Sequence, residues 1–501
     1  MVDQTVRYMP RVLIDTATGR LYERKQQAEA FEELQIYSEL VSSMTTQLDH
    51  AWIYREVKKF YRYVMLSHRW EINEPLLQRV ENISVYSLEP SPANIKLQQF
   101  CSLVLSLGFR WAWSDTSCVD KLNNVVLQES LVAMFTWYRG SSLTIVYLRG
   151  VSSKSQRPGG LQRSIWNTRA WTYQEYVAAE TLQFYTEDWK PYLGLTLSNH
   201  KESPVIISEM QQATGVSAKD MAVLRPGLDR VREKLYLASA RQTTLVEDAA
   251  YSLFGIFNVS IPAIYGEGNR AVGRLLEHIV TGSGDVTILA WTGSAGNYNS
   301  CLPTDLAVYN QLVPPHIPPP IEKAEMDDMV AALRSSLPDL SLAVQLYNRL
   351  NDLPSPSLAA SRLRLPGIVF HLTDLTRASD PDPVTNLCVY RATTSTLGEI
   401  EIKTADDLLA VDGSTDLCLV HPWIRPLLDQ EFSAGVAALD RTTQALRFVV
   451  RLGQPFGALL FAPVSRVEYR RVAADGLIVV RVREGVELME LMEGIRMIEV
   501  Q

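Results

Sequence analysis

YVMLSHRWE at residues 63–71 decides the fold: an apolar run short enough for one strand ends on the polar triplet Ser67, His68 and Arg69. Such a run, bounded by polar residues, reads as a strand buried on both faces. Working outward, RWAWSD (110–115), LTIVYL (143–148) and TLQFY (181–185) read the same way. Between the first two runs, Leu97, Phe100, Cys101, Val104 and Leu107 recur at steps of three and four; between the next two, Leu127, Leu131, Met134, Phe135 and Tyr138 do so. Each spacing predicts a helix with one buried face. Strands alternating with helices predict an α/β fold, a mostly parallel sheet with flanking helices and right-handed crossovers. A site is then expected beyond the carboxyl ends of the strands.

At 501 residues the chain is too long for a single compact core. Its 47% apolar and 21% charged residues are the composition of a globular protein. The 48 Lys and Arg are outnumbered by 56 Asp and Glu, and no basic block tracks a phosphate backbone, so nucleic acid is not an expected partner. Cys101, Cys118, Cys301, Cys388 and Cys418 are scattered and never spaced as C-x-x-C, which suggests a reducing compartment without a disulfide framework or zinc ribbon. Asp3, Arg7 and Arg11 leave no room for a secretory leader, and the uncharged run 249–265 is interrupted by Gly255, Asn258 and Pro262. The expectation is a cytoplasmic protein with no membrane span.

A mostly helical stretch is expected from about 203 to 279, its last helix following the glycines of YGEGNRAVG (265–273). That glycine spacing is not G-x-G-x-x-G, so a helix-entry turn is the better reading than a phosphate cradle. VPPHIPPP (313–320) reads as a semi-rigid spacer. Beyond it, a helix at about 321–333 precedes strand-like runs LRLPGIVFHL, LCVYRA, LRFVVRL, ALLFAPV and LIVVRV. The expected partition is an N-terminal extension with lead-in helices (1–60), a main α/β domain (61–300), a proline-rich linker (301–320) and a smaller β-rich C-terminal domain (321–501).

One short motif makes a chemical claim. WTYQE (171–175) puts Trp171 and Glu175 four residues apart, on one face if the segment is helical. An indole and a carboxylate on one wall suit stacking of a flat heteroaromatic ring beside a developing cation, as a glycosyl transfer requires. The plainer reading makes Trp171 core and pairs Glu175 with Arg169. Ser67, His68, Arg69 and Asp115 follow the first two strands, where this fold class aims its ligand contacts; Arg69 suits a phosphate or carboxylate. No second histidine lies at metal-ligand spacing from His68, so no metal is expected. Cys118 with His68 and Asp115 forms a nucleophile-and-base alternative, set against the commoner role of a buried cysteine.

The blocks LSHRWE, WSDTSCVD, MFTWY, RAWTYQE and EDAAYSLFGIFNVSIPAIYGEG stand in one order across roughly residues 60 to 293. Together they resemble the fungal heterokaryon-incompatibility (HET) domain. Glu71 departs from that family's glycine after the tryptophan, Ala170 from the glycine before Trp171, and Val126 from a frequent glutamate, whereas Glu129, Trp171 and Glu175 are kept. The resemblance implies a cell-death effector of non-self recognition. HET blocks are in turn similar to those of Toll/interleukin-1-receptor (TIR) domains, a flavodoxin-like class whose members include NAD-cleaving enzymes with a helical glutamate. Carried over, this makes Glu175 catalytic and places Trp171, Ser67, His68, Arg69 and Asp115 around the substrate. NAD is then a substrate, with no cofactor implied. The alternative is a non-enzymatic module that self-assembles or binds a protein partner.

Overall fold

The computed structural model describes residues 2–44, 49–154, 157–311, 321–382, 384–410, 417–423, 440–465 and 467–501. They fall into two compact units, one of Met1–Gly227 with Arg241–Ala263, the other of Leu228–Ala240 with Ile264–Gln501. No helix among the described residues is long and apolar enough to cross a membrane.

The first unit is a mixed α/β layer structure around one six-stranded sheet. Its strands are β1 (Val12–Asp15), β2 (Arg20–Glu23), β3 (Tyr63–Ser67), β4 (Trp111–Trp113), β5 (Leu143–Leu148) and β6 (Leu182–Thr186), in the order β2-β1-β4-β3-β5-β6. β4, β3, β5 and β6 run parallel. Every residue of β3, β4 and β5 is buried, which is why their apolar runs are continuous rather than alternating. The helices Pro92–Ser106 and Asn124–Gly140 connect β3 to β4 and β4 to β5. Ser91 caps the first by accepting from Asn94 N, and Asn123 caps the second by accepting from Val125 N and Val126 N.

All four expected strands are present, with β4 trimmed at both ends and β6 shifted by one residue. The parallel strands, in their own chain order, are arranged 2-1-3-4, so the order reverses at the boundary of β3 and β5. The N-terminal segment contributes more than lead-in helices: β1 and β2 form an antiparallel hairpin that extends the sheet at β4.

Within the motif block at 247–268, the short helix Phe254–Phe257 packs on Asn124–Gly140 so closely that a Cβ on Gly255 would overlap Phe135 Cβ. Close approach, not backbone freedom, demands this glycine. Gly255→Ala is expected to lower stability by about 1–3 kcal/mol through overpacking, read as a fall in the urea midpoint.

In the second unit, β7 (Ser357–Ala359), β8 (Arg362–His371), β12 (Cys418–Pro422), β13 (Phe456–Pro463), β14 (Glu468–Val472), β15 (Ile478–Val480) and β16 (Ile495–Val500) form one sheet. Five of these strands pair in a ring, β8 to β12, β13, β14, β16 and back to β8. A separate sheet has the order β11 (Gly398–Thr404), β10 (Cys388–Thr394), β9 (Asp374–Ser379). The helix Lys323–Ser336 stands where one was expected, and Leu340–Asn351, Arg441–Leu452 and Leu488–Glu493 add three more among the described residues.

LRFVVRL, expected as a strand, lies in the helix Arg441–Leu452. Asp440 accepts from Thr443 N to start it, and Ala445, Leu446, Phe448, Val450 and Leu452 are buried. A cap and a packed face override the weak β preference of two valines and a phenylalanine. Gly266 and Gly268 take positive φ, 98° and 59°, just before the helix Arg270–Ser283, as a helix-entry turn requires. The proline-rich run 313–320 lies outside the described residues.

Candidate functional site

The carboxyl end of β3 carries Ser67 into the interior, where it is fully buried. Two elements meet it there. The helix Ala170–Ala178 supplies Glu175, and the 3-10 turn Ile165–Thr168 supplies Trp166. Ser67 Oγ donates to Glu175 Oε2 at 2.5 Å and accepts from Trp166 Nε1 at 2.8 Å. The Tyr138 hydroxyl, donating to the Leu66 carbonyl at 2.9 Å, lies against the same carboxyl group.

Glu175 is 8% exposed. Burial pushes its pKa up to about 8, and the charge of Asp115 adds to the rise; the Ser67 hydrogen bond and the fields of Arg169 and Arg241 reverse only part of it. The carboxyl therefore carries its proton at neutral pH. Among the described residues no ion pair joins Glu175 to Arg169, whose guanidinium donates to Thr244 Oγ1. Trp171 is half-buried in the first turn of the helix. The indole that contacts the Ser67–Glu175 pair is Trp166.

A second cluster adjoins the first through the chain. His68 Nε2 is 3.1 Å from Asp115 Oδ1, and His68 Nδ1 is 2.9 Å from Lys96 Nζ. An ammonium only donates, so Nδ1 accepts and Nε2 carries the hydrogen toward Asp115. Lys96 also binds Glu74 closely, reaches the Arg69 carbonyl at 3.4 Å and stands 3.8 Å from Glu71. Glu71 pairs with Arg149 at 3.2 Å, immediately after β5. Thus the glutamate that departs from the family's glycine has two cationic partners. Ala170 begins a regular helix and needs no glycine's freedom. Val126 is half-buried in the first turn of its helix, where its amide is engaged by the Asn123 cap.

Asp115 Oδ2 accepts from Trp70 Nε1 at 2.6 Å, and Lys121 Nζ lies 3.9 Å from the same oxygen while standing over the Trp70 ring. Burial alone would raise the Asp115 pKa; Lys121, His68 and Trp70 together outweigh it and hold the group well below the usual carboxylate range. Arg69 is exposed.

The structure therefore joins Ser67 to Glu175 and His68 to Asp115, and leaves Arg69 on the surface. Trp166, Tyr138, Lys96, Glu74, Lys121 and Trp70 were not singled out from the sequence. Lys96 had a legible signal: it precedes Phe100 by four residues on the buried stripe of its helix, an unusual place for an unpaired lysine. Trp166, five residues before Trp171, had none.

The Cys118 alternative loses its chemistry. Burial pushes that thiol up to about 12, with the Ser114 backbone contact lowering it and Asp115 raising it, and both ring nitrogens of His68 are engaged elsewhere. No group of three or more His, Cys, Asp or Glu side chains is placed to hold a metal among the described residues.

Residues 63–160 match the family model described as heterokaryon incompatibility protein (HET), so the chain carries a HET domain. Over 230 residues it is 34% identical to vegetative incompatibility protein HET-E-1 of Podospora anserina, an alignment that covers 43% of this chain and 16% of that relative. The chain thus spans about a sixth of that relative's length. No solved structure matches.

Proposed function

We propose that this chain is a HET-domain effector of fungal non-self recognition and programmed cell death, acting in the cytoplasm by hydrolysing NAD in a TIR-like, flavodoxin-like domain at 61–300. The 2-1-3-4 order of the parallel strands supports the fold part of this reading. A proline-rich linker (301–320) and a C-terminal domain (321–501) complete the proposed partition.

One observation carries the chemistry: a buried carboxyl, Glu175, is hydrogen-bonded to Ser67 at the carboxyl end of β3, beside the strand boundary where the sheet order reverses. The C–N bond between ribose and nicotinamide breaks, and its electron pair leaves with nicotinamide. The ionised Glu175 stabilises the ribosyl oxocarbenium ion. Water adds to that carbon and gives up its proton to solvent, so that ADP-ribose, nicotinamide and one proton are the products. Trp171, His68, Arg69 and Asp115 are assigned to the substrate's surroundings. Arg69 is the exposed cation among them and suits the pyrophosphate.

Because the carboxylate is the working form and its pKa lies near 8, NAD loss should rise with pH, reach half its plateau near pH 8 and flatten above it. A time course of NAD consumption by purified protein from pH 6 to 9.5 checks this. A rate independent of pH across that range would remove Glu175 ionisation from the mechanism.

A second reading, a non-enzymatic module, is favoured by a different observation. Trp70, Ile72, Leu76, Leu122 and Val125 are exposed apolar residues, all in or just beyond the loops that follow β3 and β4. Such surfaces suit self-association or a protein partner. Toxicity on expression that survives Glu175→Gln while cellular NAD stays constant would select it.

A further inference from the structure

Four hydrogen-bonding groups meet at the end of β3: Trp166, Ser67, Glu175 and the Tyr138 hydroxyl, which gives its hydrogen to the Leu66 carbonyl; chemistry fixes the direction of the two bonds that run through Ser67. An indole nitrogen only donates, so Ser67 Oγ must accept from Trp166 Nε1. Ser67 is fully buried, and Glu175 Oε2 is the acceptor the structure provides for its hydroxyl hydrogen. A hydroxyl turned elsewhere would bury an unmade bond. The polarity therefore runs one way, from Trp166 through Ser67 to Glu175 Oε2.

We propose that Trp166 and Ser67 are positioning residues that commit Glu175 Oε2 as an acceptor and leave Oε1 as the oxygen that takes up and releases the proton and faces the substrate. This moves Ser67 from substrate contact to support of the carboxyl group. It also gives the indole of Trp166 a polar role beyond its edge-to-face packing on Phe184 at 5.6 Å. A donor aimed at one carboxylate oxygen favours the ionised form. The relay therefore opposes the burial that keeps Glu175 protonated, and the site stays able to ionise within reach of ordinary pH.

The assignment rests on Glu175 as the reactive carboxyl, but its test needs no turnover. The infrared carboxyl band of the full chain, taken as a difference against Glu175→Gln, is titrated for the wild type, Ser67→Ala, Ser67→Thr and Trp166→Phe. Ser67→Ala should raise the midpoint by about one pH unit, a tenfold gain in proton affinity. Trp166→Phe should shift it the same way by less, because Ser67 then donates without a fixed polarity, and Ser67→Thr should restore the wild-type value.

If Ser67→Ala does not fold, the Trp166→Phe shift decides the question. An unchanged midpoint in whichever of these two variants folds overturns the relay. A shifted midpoint in a protein that leaves NAD intact upholds the relay and rejects the glycohydrolase reading. NAD turnover with unmoved midpoints does the reverse.

Discussion

On the proposed hydrolysis of NAD, Glu175→Gln is expected to reduce its consumption by about a thousandfold, because the substitution removes the negative charge assigned to stabilising the oxocarbenium ion while preserving volume and most hydrogen-bonding capacity. The same substitution has a stability consequence whose sign follows from linkage. The folded-state pKa of Glu175 is raised to about 8 from an ordinary 4.5. The folded state therefore holds a proton that the unfolded chain releases at lower pH. That contribution is fully present below about pH 4.5 and is lost as pH rises through 8. Glutamine cannot ionise. The variant should thus gain on the wild type between pH 5 and pH 9, by at most about 5 kcal/mol. Urea unfolding at the two pH values measures the gain. Equal pH dependence in both proteins would place the carboxyl in a better-solvated environment.

Lys96→Met is expected to cost about 3–5 kcal/mol of the first unit's stability. The Lys96 side chain is 2% exposed and that of Glu74 5%, and the methionine would leave Glu74 buried without its cation and His68 Nδ1 without its donor. Glu71 suffers less because Arg149 remains beside it. Adding Glu74→Gln should recover a large part of the loss, since a buried ion pair removed whole is far less costly than one cut in half. Urea midpoints of the two single variants and the double variant close the cycle. Additive effects would show that Lys96 and Glu74 do not act as a pair.

Some of this organisation was legible in the residues. The parallel core was readable because strands buried on both faces must be apolar throughout, and YVMLS and LTIVYL occur as observed. The helix Asn124–Gly140 could be placed by its spacing, and its start carried the Asn123 cap. The hairpin of β1 and β2 was harder to see, since both strands are four residues long and β2 is largely exposed. LRFVVRL misled because valine and phenylalanine favour strands in isolation, whereas the fold supplied a cap and a buried face.

By itself, then, the sequence determined the alternation of buried strands and amphipathic helices, the presence of a HET domain and the identity of the carboxyl group worth testing. Local pattern suffices for these, because periodicity and motif order are properties of neighbouring residues. Only the tertiary structure decided what surrounds Glu175. Its hydrogen-bond partner Ser67 lies 108 positions away in the chain, and the charge that helps raise its pKa belongs to Asp115 at the end of another strand. A carboxyl group's proton affinity is set by the burial and the donors it meets in space, and neither can be read from W-T-Y-Q-E.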